Sequence, residues 1–377
     1  MKKIVTIIVA VIAVMFMVIL SGCEEPNSSE SSEKISIGFI SPLTGDVAPV
    51  GESARGGMEL ALEDINAAGG INGKRVEGIY EDSACKPQLA VLAIQKLINE
   101  DHIKVIVGAG CSSEVLAAAP IAEENKVILL GYGSSSPDIT HAGDYIFRTW
   151  PSDTEQGKAI ADELIKKSIV KVAIINANSD YNLGLAKAFQ EAYEKQKGTV
   201  VIQEIYEQEA SDFRAQLTKI KGKEKDVDAL VIIPYMEAGL LMKQARGIGI
   251  ALPFYASETV GSEEIIKEAA GAAEGVVYAT AKFNEDAPST NTFLERYEKK
   301  YGRKPVYPAF AANAYDATRL LADALSTGES TENVKQYLYN VKDYPGIAGM
   351  LTIDENGDAL KESQLMIIQN GKIENYN

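Results

Sequence analysis

KVIVGAGCSSEVLAAAP, residues 104–120, runs from an apolar β-branched segment through two glycines, a cysteine and two serines into an alanine-rich helical pattern. A strand apolar on both faces belongs in a parallel sheet covered by helices on both sides. The same unit recurs along the chain. β-Branched runs stand at 35–40, 75–80, 104–109 and 126–131, and again at 171–177, 199–206, 228–234, 253–257 and 275–280. Helical patterns fill the gaps at 52–67, 87–100, 113–124, 154–168, 183–196, 212–221, 236–248 and 262–270. Strands alternating with helices of this length mean βαβ units and parallel sheets. The alternation falls into two sets, 35–148 and 171–280. Between them lies FRTWPSDTEQG (147–157), where Pro151 breaks the rhythm and Ser152 or Asp153 can cap the next helix. After residue 280 come helices at 289–301, 308–327 and 331–340, then the β-runs GMLTID and SQLMIIQ around a hairpin-like turn, DENGD (354–358). These late helices must pack on something already built. The fold class is therefore α/β, with two Rossmann-like lobes, more than one chain crossing between them, and a hinged cleft outside the strand C-termini.

The N-terminus reads as a processing segment. Lys2 and Lys3 precede an apolar run from Ile4 to Leu20, and Leu20-Ser21-Gly22-Cys23 follows. This ending resembles the lipobox of bacterial lipoproteins, which implies that Cys23 carries lipid and becomes the mature N-terminus. An uncleaved transmembrane anchor is the alternative, since the run is at the lower length limit for a span. Either way the folded part is expected outside the cytoplasm and beside a membrane. Residues 24–33, EEPNSSESSE, have nothing apolar to bury and read as a flexible tether. Of three cysteines, lipid takes Cys23. An oxidising compartment lets Cys85 and Cys111 pair; two buried thiols are the alternative. A disulfide would add roughly 3 kcal/mol on the loop-entropy model.

Composition excludes several classes. Loss of Lys2 and Lys3 with the leader leaves 35 basic against 53 acidic residues, a net charge of −18. So acidic a surface disfavours nucleic acid and anionic lipid as partners. The two histidines, His102 and His141, stand in unrelated contexts, and no His/Cys cluster has metal-ligand spacing. Neither a Gly-x-Ser-x-Gly elbow nor a Walker loop occurs. No metal, cofactor or catalytic residue is expected, and an enzyme built on two α/β lobes is the weakest reading.

The strand ends carry the candidate binding groups. Near Ser112 a helix begins, and its first amides lack intrahelical partners. A carboxylate could take the Ser112 hydroxyl together with those N–H groups, although a serine there also serves as an ordinary cap. The next strand ends in YGSSSPDIT (132–140), bringing Gly133 and Ser135, with Tyr132 as a possible neighbour. The second set of strands ends near Tyr181, at Tyr235 and at Glu258. One lobe thus offers hydroxyls and amides, the other a carboxylate and two phenols. A ligand with both a carboxylate and an ammonium would bridge them, Glu258 taking the ammonium.

These features resemble the leucine/isoleucine/valine-binding protein family of ABC importers, with the type I periplasmic-binding-protein fold. The resemblance spans residues 34–377 and rests on GFISPLTGDVAPVGES, GGMELALEDINAAGGINGKRVEGIYEDSACKP, IVGAGCSS, SSPDIT, FRTWPSDTEQG and AANAYDATRLLADAL. It implies a ligand set of Ser112, Gly133, Ser135, Tyr181, Tyr235, Glu258 and Phe310, the last lining the side-chain pocket. It also implies a monomeric, lipid-anchored binding protein that delivers an amino acid to an ABC permease and its ATPase. A sensor subunit for an amino acid or small amide is the alternative. Val50 stands where well-known members carry a tyrosine, which puts the branched-chain preference in question. The expected division is a signal peptide at 1–22, lipidated cysteine and tether at 23–33, lobe I at 34–150 plus 282–350, and lobe II at 151–281 plus 351–377.

Overall fold

The computed structural model describes residues 34–376; the signal peptide, Cys23 and the tether lie outside the described residues. Among the described residues no helix is long and apolar enough to cross a membrane.

The first sheet is made of β1 (Ile35–Ser41), β2 (Val76–Asp82), β3 (Val105–Gly108), β4 (Ile128–Gly131) and β5 (Ile146–Arg148), in the order β2-β1-β3-β4-β5. Every pairing in it is parallel. Between and after these strands run α1 (Ala48–Ala67), α2 (Pro87–Asn99) and α3 (Ser112–Asn125). The second part of the chain begins with α4 (Asp153–Lys166). It continues through β6 (Lys171–Asn178), α5 (Asp180–Lys195), β7 (Thr199–Glu207), α6 (Arg214–Gly222), β8 (Ala229–Ile233), α7 (Ala238–Gly247), β9 (Phe254–Ala256), α8 (Glu263–Ala269) and β10 (Val277–Ala281). Three further helices follow: α9 (Pro288–Tyr301), α10 (Pro308–Thr327) and α11 (Thr331–Tyr339). Last come β11 (Tyr344–Gly346), β12 (Gly349–Leu351), β13 (Ser363–Gln369) and β14 (Lys372–Asn375). The second sheet has the order β14-β13-β10-β9-β8-β6-β7. It is parallel from β7 to β10, and β13 and β14 join antiparallel.

Each sheet is covered on both faces. One face of the first sheet buries Ala54, Met58 and Leu62 of α1, Leu320, Leu321 and Leu325 of α10, and Val334 and Leu338 of α11. The other face holds Ala93, Ile94 and Leu97 of α2 with Val115, Ala118 and Ala122 of α3. The late helices thus complete the first layer, as their position in sequence demanded. In the second sheet, Leu217 and Ile220 of α6 and Leu241 and Met242 of α7 cover one side. On the other side Ile160 and Leu164 of α4 pack with Leu185 and Phe189 of α5. That cluster also takes in Val47, Val50, Cys85 and Cys111 from the first part of the chain, so apolar contact crosses between the two halves. Each such Leu, Ile or Phe, fully buried, contributes about 1.5–3 kcal/mol.

Three stretches of chain pass between the halves, at 149–152, 282–287 and 352–362. Arg148 ties the first to the third: its Nε donates to Asp358 Oδ1 at 2.7 Å, and its N–H to the Gly357 carbonyl at 3.0 Å. The Lys282 N–H donates to the Glu362 carbonyl at 2.9 Å, tying the second to the third.

The structure corrects three expectations. GMLTID and SQLMIIQ do not face each other across DENGD: β12 pairs with β11, while β13 pairs with β10 and β14. The turn itself is hairpin-like, closed by an antiparallel bridge between Ile353 and Ala359, but the longer runs beside it pair elsewhere, where their apolar side chains are buried. The boundary of lobe I at residue 350 is short, since Leu351, Ile353 and Ala359 sit in the first core. Tyr132 is wholly buried there too, hydrogen-bonded to Ser41 Oγ at 2.6 Å and stacked on Phe39, and it does not line a cleft.

Helices α1 and α10 approach so closely that a Cβ on Gly57 would lie 2.0 Å from the Ala311 carbonyl oxygen. A backbone atom cannot swing aside as a side chain can. Gly57→Ala is therefore expected to destabilise the protein by about 1–3 kcal/mol through overpacking. Urea unfolding monitored by circular dichroism checks this; an unchanged midpoint would show that the two helices separate freely.

Candidate functional site

In a parallel sheet, the crevice where the chain reverses its direction of winding is where ligands bind. Both sheets have such a point. In the first, the chain runs from β1 outward to β2 and then returns to β3 on the other side; in the second it runs from β6 to β7 and returns to β8. Val47 and Val50 follow β1, and Gly110, Cys111 and Ser112 follow β3. Tyr181 follows β6, and Tyr235 and Met236 follow β8. All line a single cavity of about 50 Å3, together with Gly133 and Ser135 after β4, Glu258 and Thr259 after β9, and Phe310 of α10. The seven residues singled out in the sequence are thus brought together. Cavities for small molecules usually measure ~300–1,000 Å3, so the two halves stand close here. An adjoining space of about 220 Å3 shares Val50, Met236, Glu258, Thr259 and Phe310 and extends to Trp150 and Tyr307. Two larger depressions of about 630 Å3 lie elsewhere, around Tyr337 and Lys342 and along Lys158, Lys187 and Lys195. They collect surface side chains rather than strand ends.

The half of the wall built by the first sheet is rich in hydroxyls. Ser112 opens α3, and its Oγ accepts from the N–H groups of Ser135 (3.2 Å) and Ser136 (3.0 Å). With both lone pairs engaged, the hydroxyl proton remains to be donated. Ser135 has the opposite polarity. Its Oγ donates to Asp153 Oδ2 at 2.9 Å, which leaves lone pairs and no proton for a ligand. The sequence placed both serines on a carboxylate; the geometry fits Ser112 to an anion and the Ser135 hydroxyl to a cation. Gly133 is needed for clearance, since a Cβ there would lie 2.6 Å from the Phe310 ring. Phe310 in turn stacks on Trp150 at 4.4 Å between centroids.

Beneath this wall Cys85 and Cys111 form a disulfide that fixes the start of α3 against the β2–α2 turn. Glu114 completes the helix start, accepting from the Cys111 N–H at 2.9 Å. It is wholly buried, and burial raises its carboxyl to about 7. Among the described residues, Cys85, Cys111 and Glu114 are the one grouping with metal-ligating atoms close together, and the disulfide occupies both sulfurs.

The second sheet supplies phenols and acid. Tyr181 and Tyr235 meet edge to face at 5.7 Å. The Tyr235 hydroxyl reaches across to Cys85 Sγ at 3.4 Å. The Tyr181 hydroxyl is buried without a hydrogen-bond partner, a group that normally finds one. Asn182 holds the turn after β8, its Nδ2 donating to the carbonyls of Ile233 and Pro234 at 2.9 Å each. Glu258 starts a short 3-10 turn after β9. Thr280 Oγ1 donates to its Oε2 at 3.4 Å. Burial first, then the charge of Asp153, raises the Glu258 carboxyl to about 8, with Thr280, the Ala281 N–H and Trp150 partly offsetting this. Burial likewise lifts Asp153 to about 7. The arrangement can therefore accept a cationic group beside Glu258 and an anionic group beside Ser112, with apolar walls from Val47, Val50, Met236 and Phe310. Val47, Met236 and Thr259 were not foreseen; they follow strand ends already identified, and that adjacency was the available signal.

Comparison with known proteins bears on this geometry. A model of the periplasmic binding protein family matches residues 34–372. The leucine-, isoleucine-, valine-, threonine-, and alanine-binding protein of Pseudomonas aeruginosa is 31% identical over 337 residues, covering 88% of each chain. Among solved structures, the branched-chain amino acid transporter substrate binding protein LivJ of Streptococcus pneumoniae, in complex with isoleucine, is 33% identical with a TM-score of 0.81. The match covers 91% of this chain and 98% of that one. The leucine binding protein LivK of Thermotoga maritima is 28% identical with a TM-score of 0.83 and the same coverage.

Glu114, Asp153 and Glu258 hold protons in the folded chain at pH values where an unfolded carboxyl, near 4, has lost them. Between about pH 4.5 and 8 the folded state binds more protons, so stability is expected to fall as pH rises across that window. Thermal melts at pH 5, 6, 7 and 8 at fixed ionic strength measure the slope, and Glu258→Gln should flatten it. An identical slope in the variant would mean that Glu258 titrates as an ordinary surface acid.

Proposed function

Since the chain belongs to the branched-chain amino acid-binding family of periplasmic binding proteins, we propose that it captures a free apolar amino acid, leucine, isoleucine or valine first, between its two halves and presents it to an ABC permease. One observation carries this reading. The cavity sets a free hydroxyl proton on Ser112 against Glu258, a half-buried acid whose polar neighbours are Thr280, the Ala281 N–H, Trp150 and another acid. An α-amino acid is a molecule that carries both complements a few atoms apart. Ser112 and the first amides of α3 take its carboxylate, and Glu258 with the Ser135 hydroxyl takes its ammonium. The Tyr181 hydroxyl, which lacks a partner, supplies a further hydrogen bond. Val47, Val50, Met236 and Phe310 enclose the side chain.

Capture proceeds by closure about the three crossing stretches. The ligand docks on the first half, and the second swings in with Tyr181, Tyr235 and Glu258. Water leaves, and each charge-assisted hydrogen bond then contributes about 1.5–3 kcal/mol. Much of that gain is offset by desolvation of both ions. The ammonium gives Glu258 the counter-charge it otherwise lacks, so the ligand favours the closed arrangement by its differential affinity alone. No bond is made or broken. Lipid on Cys23 keeps the monomeric protein at the outer face of the cell membrane, within reach of its permease.

A thermal-shift screen of the twenty amino acids, followed by calorimetry, tests the proposal. Leucine, isoleucine or valine should raise the melting temperature most. Glu258→Gln is expected to weaken binding by about 2–5 kcal/mol, the range for removing one partner of a buried charge pair. Unchanged affinity in the variant, or no response to any amino acid in the wild type, overturns the assignment.

A further inference from the structure

The stretch FRTWPSDTEQG (147–157) buries Arg148 and Thr149 at the first crossing, and just after it, in the first turns of α4, Asp153 and Gln156, exposed by only 1% and 4%. An acid in the first turn of a helix ordinarily lies in solvent and interacts with the helix dipole. Asp153 instead faces inward and accepts twice. Ser135 Oγ donates to its Oδ2 at 2.9 Å, and Gln156 Nε2 donates to its Oδ1 at 3.3 Å. Its backbone N–H donates to the Ser135 carbonyl at 2.8 Å. Gln156 then passes the connection on, its Oε1 accepting the Glu258 N–H at 3.2 Å. With the Ser135 N–H on Ser112 Oγ, one chain of hydrogen bonds runs Ser112–Ser135–Asp153–Gln156–Glu258. It joins the anion-facing turn of the first sheet to the acid of the second.

We propose that Asp153 is a positioning residue for the amino acid head group: through Ser135 on one side and Gln156 on the other, it sets the distance and polarity between the two halves of the grip. This rests on the amino acid-binding reading given above. The polarity follows from donor counting. A carboxylate accepts from both neighbours, so the Ser135 hydroxyl proton points at Asp153 and its lone pairs face the cavity, where they suit an ammonium. Gln156 must donate on one side and accept on the other, which an amide does and a carboxylate facing Asp153 does not.

Exchanging the two side chains tests this. Asp153→Asn can accept from only one neighbour with its single carbonyl oxygen, and Gln156→Glu has no proton for Asp153. Placed together, the asparagine accepts from Ser135 and donates to the glutamate, which accepts the Glu258 N–H, so the chain is restored with the same net charge. Leucine binding is measured by calorimetry on the full-length folded protein, with circular dichroism as the control for folding. Each single variant should weaken binding about tenfold or more, the loss expected for a broken hydrogen bond to a charged group. The double variant should recover to within about threefold of the wild type, a recovery that independent sites would not show. Singles that bind like the wild type, or a double whose loss is the product of the two, overturn the proposal while leaving amino acid binding intact. Absence of leucine binding in the wild type would instead strike the reading on which it rests. If a single variant does not fold, Gln156→Ala, which leaves the Ser135–Asp153 pair in place, carries the test, and unchanged affinity there also overturns the relay.

Discussion

Glu258 is a half-buried acid in the cavity wall, and its closest charged influence is another acid, Asp153. Ionising a carboxyl in such a place is costly, because little water reaches it and no opposite charge stands beside it. The polar help on hand, from Thr280, the Ala281 amide and Trp150, offsets only part of the cost, and the carboxyl stays near 8. An ammonium brought from outside removes the cost directly. In the proposed function this unmet charge makes closure depend on cargo. A lysine or arginine in the same place would stabilise the closed arrangement without any ligand and abolish the selectivity.

The remainder of the site keeps that acid opposed to the hydroxyls. Two sheets of the same winding bring their points of reversal face to face, so residues from six strand ends share one small cavity. The crossings are tied to one another by Arg148 with Asp358 and by the backbone bond from Lys282 to Glu362. On the first half, the disulfide and Glu114 fix the start of α3. On the second, Asn182 fixes the turn that carries Tyr235. The side chains that line the cavity are therefore held by others that do not, which is the condition for a preorganised site.

Much of this was legible in the residues, and the reasons are local. VIVG and VIIP are apolar on both faces, which only a covered parallel strand allows, and helices between such strands dictate crossover connections. Once those strands were placed, Ser112, Gly133, Ser135, Tyr181, Tyr235 and Glu258 followed as the residues just beyond their ends. Phe310 came from resemblance alone, because nothing in a helix start at Pro308 says which sheet it covers. β5, β11 and β14 escaped because segments as short or as polar as IFR, YPG and KIEN carry no periodic signal.

The sequence by itself determined the helices and the longer apolar strands, and the chemistry at their ends, because those depend on neighbours within a few residues. Only the tertiary structure decided that β12 and β13 part company and that Leu351, Ile353 and Ala359 belong to the first core. It alone turned the Ser135 hydroxyl toward Asp153 and gave Ser112 and Ser135 opposite polarity. Those outcomes are set by partners far away along the chain, where burial and donor counting choose among pairings that are locally equivalent.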